Sequence, residues 1–88
     1  INLWKINPGY GHFRLGYLYS VQGRFVEAAK QYEKCIAEYP DRDNALFNLA
    51  LVYYQIGYYS SAISLMKEAA RKDNYSAQQW LKEHGSDW

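Results

Sequence analysis

Apolar residues recur at helical spacing along most of the chain. The i, i+3, i+4 pattern of a buried helix face occurs twice, at Leu15, Leu18 and Tyr19 and again at Leu49, Val52 and Tyr53. Residues at this spacing lie on one side of a helix with 3.6 residues per turn. We therefore predict two helices whose core faces are formed by these residues.

A glycine follows each of these stretches, and a second helical pattern follows each glycine. The apolar positions of the second patterns are Ala28, Ala29, Tyr32, Cys35 and Ile36, and then Ala62, Ile63, Met66, Ala69 and Ala70. Gly23 and Gly57 stand where the first helix of each pair would end, because glycine takes the left-handed conformation of a helix terminus without a Cβ clash. The pattern predicts two pairs of antiparallel helices, each joined by a short turn.

Segment 51–59, LVYYQIGYY, has a composition that favours a strand, since Val, Ile and Tyr are common in strands. Its helical spacing outweighs that preference, and we predict the end of a helix, a glycine terminator and the start of a turn. Among its tyrosines, we expect Tyr53 and Tyr59 in the repeat core, Tyr58 exposed in the turn and Tyr54 at a binding surface.

The two helix pairs are copies of each other at a distance of 34 residues. Identical residues meet at this offset, namely Phe13 and Phe47, Leu15 and Leu49, Tyr19 and Tyr53, Gly23 and Gly57, and Ala28 and Ala62. A fixed period of this length is typical of proteins built from stacked helical repeats.

The unit resembles the tetratricopeptide repeat family, whose pattern reads W-x2-L-G-x2-Y, then A-x3-F, then P. The matching residues are Leu15, Gly16, Tyr19, Ala28, Tyr32 and Pro40 in the first unit, Leu49, Ala50, Tyr53 and Ala62 in the second, and Trp80 at the start of a third. The departures are His12, Met66 and Asn74, and Glu83 with His84 in the third unit. The resemblance implies an all-α, right-handed superhelix of two units plus a C-terminal capping helix.

This reading divides the chain into four parts. We predict an N-terminal arm or the tail of a preceding repeat at residues 1–8, the first unit at 9–42, the second at 43–75, and a capping helix with its tail at 76–88. Because the chain begins with isoleucine instead of methionine, we expect it to be part of a longer protein.

The last helix has its own start signal. Ser76 with Gln79 three residues later forms a capping-box pattern. We therefore predict a helix from about Ala77 to Glu83, ended by Gly85. A terminal helix of this kind covers the apolar face that the last repeat would otherwise leave open.

Charge and composition exclude several classes of partner. Ten Lys and Arg against nine Asp and Glu give a net charge of +1 over 88 residues, which offers no electrostatic case for nucleic acid or a membrane surface. No apolar run reaches the length of about 18–20 residues that spans a bilayer. The single cysteine excludes an internal disulfide and fits a reducing compartment such as the cytoplasm, although the sequence does not identify the compartment.

Candidate catalytic side chains do not form a catalytic set. His12 takes the place of a core aromatic, and we interpret it as structural. His84 lies near two carboxylates in the tail, too few ligands for a metal site, and Cys35 falls where the repeat requires a small buried residue. We therefore predict a non-enzymatic protein without a cofactor.

A second apolar stripe on the first helix of each unit gives the functional prediction. In the resembled family, the first helices line a concave surface that holds a peptide or a partner helix. The predicted groove residues are Tyr10, Phe13, Arg14, Tyr17, Asn44, Phe47, Asn48, Leu51, Tyr54, Gln78 and Lys82. In the alternative interpretation, the apolar members simply pack helix against helix between neighbouring repeats.

The kind of partner also follows from this comparison. One subset of the family clamps a terminal carboxylate with Lys and Asn residues, and here Phe13 and Tyr17 replace the first two clamp positions while Asn48 and Lys82 fit others. We therefore expect a more apolar protein or peptide partner. Two alternatives stay open: a structural segment that stacks or self-associates through open repeat ends, and a regulatory or targeting module of a larger protein.

Overall fold

A computed structural model describes residues 10–39 and 43–88, so the predicted arm at residues 1–8 lies outside the described part. The five helices are α1 (Tyr10–Val21), α2 (Phe25–Glu38), α3 (Asp43–Ile56), α4 (Tyr59–Arg71) and α5 (Tyr75–Glu83). Each helix packs against the next one along the chain. Residues 10–39 and 43–88 contain no strand, and the prediction of an all-α fold of antiparallel helix pairs is confirmed.

The glycine turns end the first helix of each pair in the same way. Gly23 and Gly57 have positive φ angles of 77° and 103°. The residue after each glycine donates its backbone N–H to the carbonyl of Tyr19 or Tyr53, in each case at 2.8 Å. This hydrogen bond satisfies a carbonyl that the helix end leaves without a partner. Segment 51–59 is therefore a helix end followed by a turn, as its spacing predicts.

Two clusters of buried apolar side chains hold the helices together. The first, which we call the α2–α3 cluster, consists of Ala28, Ala29, Tyr32, Leu49 and Val52. The second, the α4–α5 cluster, consists of Leu46, Ala50, Met66, Ala69, Ala70, Ala77 and Leu81. Alanine supplies two of the five residues of the α2–α3 cluster and four of the seven residues of the α4–α5 cluster. These small side chains let the helix backbones approach closely, and the larger side chains fill the remaining space.

The prediction that Leu15 and Leu18 lie in the core is wrong. They are 41% and 40% exposed, whereas their repeat counterparts Leu49 and Val52 are 4% and 3% exposed. The difference follows from the neighbours of each helix. Leu49 and Val52 of α3 pack against α2, whereas no described helix packs in the equivalent way against α1.

The tyrosines of segment 51–59 also differ from expectation at one position. Tyr59 is 56% exposed instead of buried, because it opens α4 directly after the turn, where its ring contacts Tyr54 edge to face. Tyr58 is exposed as predicted, and Tyr53 is half-buried beside the α2–α3 cluster. Burial and a hydrogen bond donated to Glu33 raise the pKa of Tyr53 to about 12.

The start of α5 corrects the capping prediction. The helix begins at Tyr75 instead of Ala77, and its N-cap residue is Asn74 instead of Ser76. The side-chain oxygen of Asn74 accepts a hydrogen bond of 2.9 Å from the backbone N–H of Ala77. Asn is among the strongest N-cap residues, and its amide oxygen reaches the third helical N–H. The end of α5 follows the prediction, with Gly85 at a φ of 74°.

We expect Asn74→Ala to lower the free energy of unfolding by about 1 kcal/mol, because an N–H at the helix start loses its acceptor. Ser76→Ala is the matched control, and its effect should stay within about 0.5 kcal/mol, as for other exposed surface positions. Urea unfolding followed by circular dichroism measures both values. Equal losses from the two substitutions would contradict the assignment of Asn74 as the cap.

Candidate functional site

An open cavity lies between α1 and α3, with α2 behind it. Its volume is about 400 Å³, and it is lined by Tyr17, Ser20, Val21, Phe25, Tyr32, Asn48, Leu51, Val52 and Gln55. We call it the α1–α3 cavity. A volume of this size lies within the range of about 300–1,000 Å³ that is typical of ligand pockets.

Helical spacing explains how these side chains come together. Tyr17, Ser20 and Val21 are separated by three and four residues on α1, and Asn48, Leu51 and Gln55 follow the same rule on α3. Each set therefore shares one helix face. Tyr17 and Leu51 are also repeat counterparts, since they are 34 residues apart. The cavity thus forms where equivalent faces of two consecutive units meet.

The lining of the cavity is uncharged. It combines aromatic and aliphatic surface with the side-chain amides of Asn48 and Gln55 and with hydroxyl groups. Tyr32 is fully buried behind the opening. Burial raises the pKa of its phenol, and a hydrogen bond with Ser20 acts in the opposite direction. Such a site can accept an apolar side chain and can hydrogen-bond a peptide backbone, but it offers no ion-pair partner.

The predicted groove residues fall into two groups. Tyr17, Asn48 and Leu51 line the α1–α3 cavity. Phe13 and Phe47 instead make helix contacts, Phe13 through an edge-to-face contact with the Tyr32 ring at 5.8 Å and Phe47 against the α4–α5 cluster. These two phenylalanines occupy the packing positions that the alternative interpretation assigns to them.

The lining of this cavity does not include four further predicted residues, Arg14, Asn44, Gln78 and Lys82. Arg14, Asn44 and Lys82 are exposed. The Gln78 side chain donates a hydrogen bond of 3.0 Å to the carbonyl of Ala70, so it links α5 to the end of α4. The side chain of Tyr10 lies outside the described part of the structure.

Tyr54 joins α3 to the C-terminal helix. Its ring contacts Trp80 at a centroid distance of 5.3 Å and His84 at 5.7 Å, while the Trp80 and His84 rings stack at 3.7 Å. Edge-to-face and stacked arrangements of this kind stabilise aromatic clusters. The contacts of Tyr54 in the structure are thus contacts with α5 and the start of α4.

Sequence reasoning missed part of the lining. Val21 follows Tyr17 by four residues, just as Gln55 follows Leu51, so the helical period could have added both to the predicted set. Phe25 and Tyr32 come from α2. Their approach depends on how the second helix packs behind the first, and this information lies beyond helix periodicity.

The histidines and the cysteine occupy structural positions. His12 Nδ1 lies 3.0 Å from the side-chain oxygen of Gln31, and its Nε2 lies 3.4 Å from Glu38, so it links α1 to α2. Cys35 is fully buried. Across residues 10–39 and 43–88, no three His, Cys, Asp or Glu side chains form a group that could hold a metal ion.

Stacked antiparallel helix pairs with a shared cavity between their first helices define a helical-repeat protein. The family model of the tetratricopeptide repeat matches residues 13–77, more than half of the chain. The chain therefore belongs to the tetratricopeptide repeat family. No curated protein matches it. None of the described helices has the length and apolar character needed to cross a bilayer.

Repeats of this family generally act as non-enzymatic modules for protein–protein interaction. Membership of this family therefore indicates a protein as the class of partner.

Proposed function

We propose that the chain binds a peptide segment of a protein partner in the α1–α3 cavity. The observation that carries this proposal is the uncharged cavity of about 400 Å³ between equivalent faces of two consecutive units. An apolar side chain of the partner enters between Tyr17 and Leu51. Burial of apolar surface at roughly 25 cal/mol per Å² supplies the main driving force.

Polar groups at the cavity fix the orientation of the bound segment. The amides of Asn48 and Gln55 stand one helical turn to either side of Leu51, so they can hydrogen-bond the partner backbone next to its buried side chain. Interfaces of this kind combine an apolar centre with a small number of hydrogen bonds. The spacing of the two amides along α3 supports a segment that runs beside this helix.

The charge pattern supports an apolar anchor over a terminal carboxylate. A carboxylate clamp needs cations at the site, and the residues that line the cavity include none. Lys82, which fits one of the clamp positions, is exposed on α5. A partner with an aliphatic or aromatic anchor and without a required negative charge fits this lining.

Tyr17→Ala tests the proposal with little risk to the fold, since Tyr17 is an exposed tyrosine. Peptides are first selected from a phage-displayed random library against the 88-residue chain, and their affinities are then measured by fluorescence anisotropy. We expect Tyr17→Ala to weaken binding by about tenfold or more, which corresponds to about 1.4 kcal/mol.

Tyr75→Ala is the matched control, because Tyr75 is also an exposed tyrosine but lies on α5, outside the cavity lining. Its binding should change less than about twofold, an effect of under 0.5 kcal/mol. Circular dichroism checks that both variants keep their helices. Equal losses from the two variants, or selected peptides that lack an apolar anchor, would argue against the proposal.

A further inference from the structure

Two amide side chains on α3 have a spacing that discriminates between the conformations of a bound segment. Asn48 and Gln55 are seven residues apart on this helix, and both line the α1–α3 cavity. Seven residues make nearly two helical turns, so the two amides share one face at a distance of about 10.5 Å along the helix axis. A backbone that bonds to both amides needs hydrogen-bonding groups on one side at a similar spacing.

Polyproline II is the backbone conformation that meets this requirement. It has three residues per turn and a rise of about 3.1 Å per residue, so every third carbonyl points the same way, at a spacing of about 9.3 Å. In a β-strand, carbonyls on one side are two or four residues apart, at about 7 or 13 Å. In an α-helix, the carbonyls are already bonded within the helix.

The lining of the cavity matches the chemistry of a proline-rich segment. All nine lining residues are uncharged, and a segment of proline and aliphatic residues carries no charge that this lining would leave unpaired. The rings of Tyr17 and Phe25 offer aromatic surface to the proline rings, as aromatic side chains do in other grooves that bind polyproline II. Because proline has no N–H group, its backbone needs only donors, and side-chain amides supply them.

We propose, building on the peptide site proposed above, that the partner segment is a proline-rich stretch in the polyproline II conformation. Its backbone runs beside α3, and two carbonyls three residues apart accept hydrogen bonds from Asn48 and Gln55. An aliphatic side chain between these carbonyls enters the cavity beside Leu51. Such a segment is already extended before it binds, so it loses less conformational entropy than a flexible chain does.

Two capped, fluorescein-labelled peptides test the conformation. One is Pro-Pro-Leu repeated four times. The other is Gly-Ser-Leu repeated four times, which keeps the leucine spacing and the absence of charge but is a flexible coil. Fluorescence anisotropy with the 88-residue chain gives the Kd of each peptide. We expect the proline peptide to bind about tenfold or more tightly, because its backbone is ordered beforehand.

Gln55→Ala tests the pair of amides. It should weaken binding of the proline peptide by about threefold to tenfold, the usual effect of losing one hydrogen bond. Gln79→Ala is the matched control, because Gln79 is also a glutamine within a helix but lies on α5, outside the cavity lining. Its effect should stay below about twofold. Circular dichroism checks that both variants keep their helices.

Three results would overturn the inference. The first is equal binding of the two peptides, since a preformed polyproline II backbone would then give no advantage. The second is an equal effect of Gln55→Ala and Gln79→Ala. The third is no binding of the proline peptide while the library-selected peptides still bind and still depend on Tyr17, in which case the proposed peptide site stands without this partner. Library-selected peptides that are insensitive to Tyr17→Ala would overturn the site and this inference together.

Discussion

Leu81→Ala should lower the free energy of unfolding by about 2–5 kcal/mol, the usual cost of truncating a fully buried leucine. Leu81 is completely buried in the α4–α5 cluster, where it packs with Met66 and Ala69. The helix that carries it has nine residues, too few to be stable in water by itself. The binding of α5 to α4 therefore depends strongly on this one side chain.

The size of the effect is large for so small a domain. Net stabilities of native domains are about 5–15 kcal/mol, and an 88-residue chain buries a smaller fraction of its surface than larger domains do. A loss of about 2–5 kcal/mol would remove a substantial part of the total. Detachment of α5 would also expose the small-residue stripe of α4 to water.

Lys82→Ala is the matched control, because Lys82 is adjacent on the same helix but exposed. Its effect should remain within about 0.5 kcal/mol. Urea unfolding of both variants, followed by circular dichroism, gives the comparison. A loss below about 1 kcal/mol for Leu81→Ala would mean that α5 contributes little to closing the stack, against the expectation for a buried leucine.

The helix pairs could be predicted because two copies of one pattern support each other. Gly23 and Gly57 stand at the same place in each unit, and the periodic stretches on both sides of them agree. This agreement outweighed the strand preference of segment 51–59. Local propensity is a weak prior when it conflicts with a repeated tertiary pattern.

Burial could not be predicted by the same route, because identical repeat positions have different neighbours. Leu15 and Leu49 are equivalent in sequence, but one begins the described stack and the other lies inside it. Tyr59 is exposed for a related reason, because it is the first residue of α4 and lies directly after the turn at the end of the helix pair. Periodicity defines a face but not the depth at which the face is buried.

The capping error has a local cause. Ser76 and Gln79 fit the capping box as well as any pair in the chain, but Asn74 lies two residues earlier and forms the cap. Asp73, next to it, has a left-handed φ of 67°, so the chain turns before the helix starts. Because the chain turns at Asp73, the helix starts directly after Asn74, and Asn74 instead of Ser76 forms the cap.

Part of the candidate site was visible in sequence because it lies on helix faces. Helical spacing together with the family resemblance predicts Tyr17, Asn48 and Leu51 as groove residues, and they line the cavity. Tyr54 satisfies the same spacing rule, yet its ring contacts Trp80 of α5. Helical spacing assigns Tyr54 to the same face of α3, but it does not show that α5 covers this end of the face. That information comes from the packing of α5.

The fit between Gly16 and Tyr32 gives the second prediction. A Cβ atom added at Gly16 would lie 2.8 Å from a carbon of the Tyr32 ring, closer than van der Waals contact allows. Tyr32 is fully buried and its ring contacts Phe13 edge to face, so a shift of the ring away from an added methyl group would disturb that contact. In the second unit the counterparts are Ala50 and Met66, both completely buried in the α4–α5 cluster. The two units thus fill the same space in different ways.

Overpacking at Gly16→Ala should cost about 1–3 kcal/mol, and the preference of a helix for alanine over glycine returns about 1 kcal/mol of this. The net loss in the free energy of unfolding should therefore reach about 2 kcal/mol. Tyr32→Met alone should also destabilise the fold, since the contact with Phe13 is lost.

The double variant Gly16→Ala with Tyr32→Met reproduces the pair found in the second unit. Methionine is unbranched and adapts to irregular space, so the added methyl group no longer meets a rigid ring. We expect the double variant to be more stable than the sum of the single losses predicts, by about 1 kcal/mol or more, as for other residues in contact. Urea unfolding of the unsubstituted chain, the two single variants and the double variant gives the four free energies of this double-mutant cycle. Strict additivity would show that the Gly16–Tyr32 contact does not limit which residues the first unit accepts at these two positions.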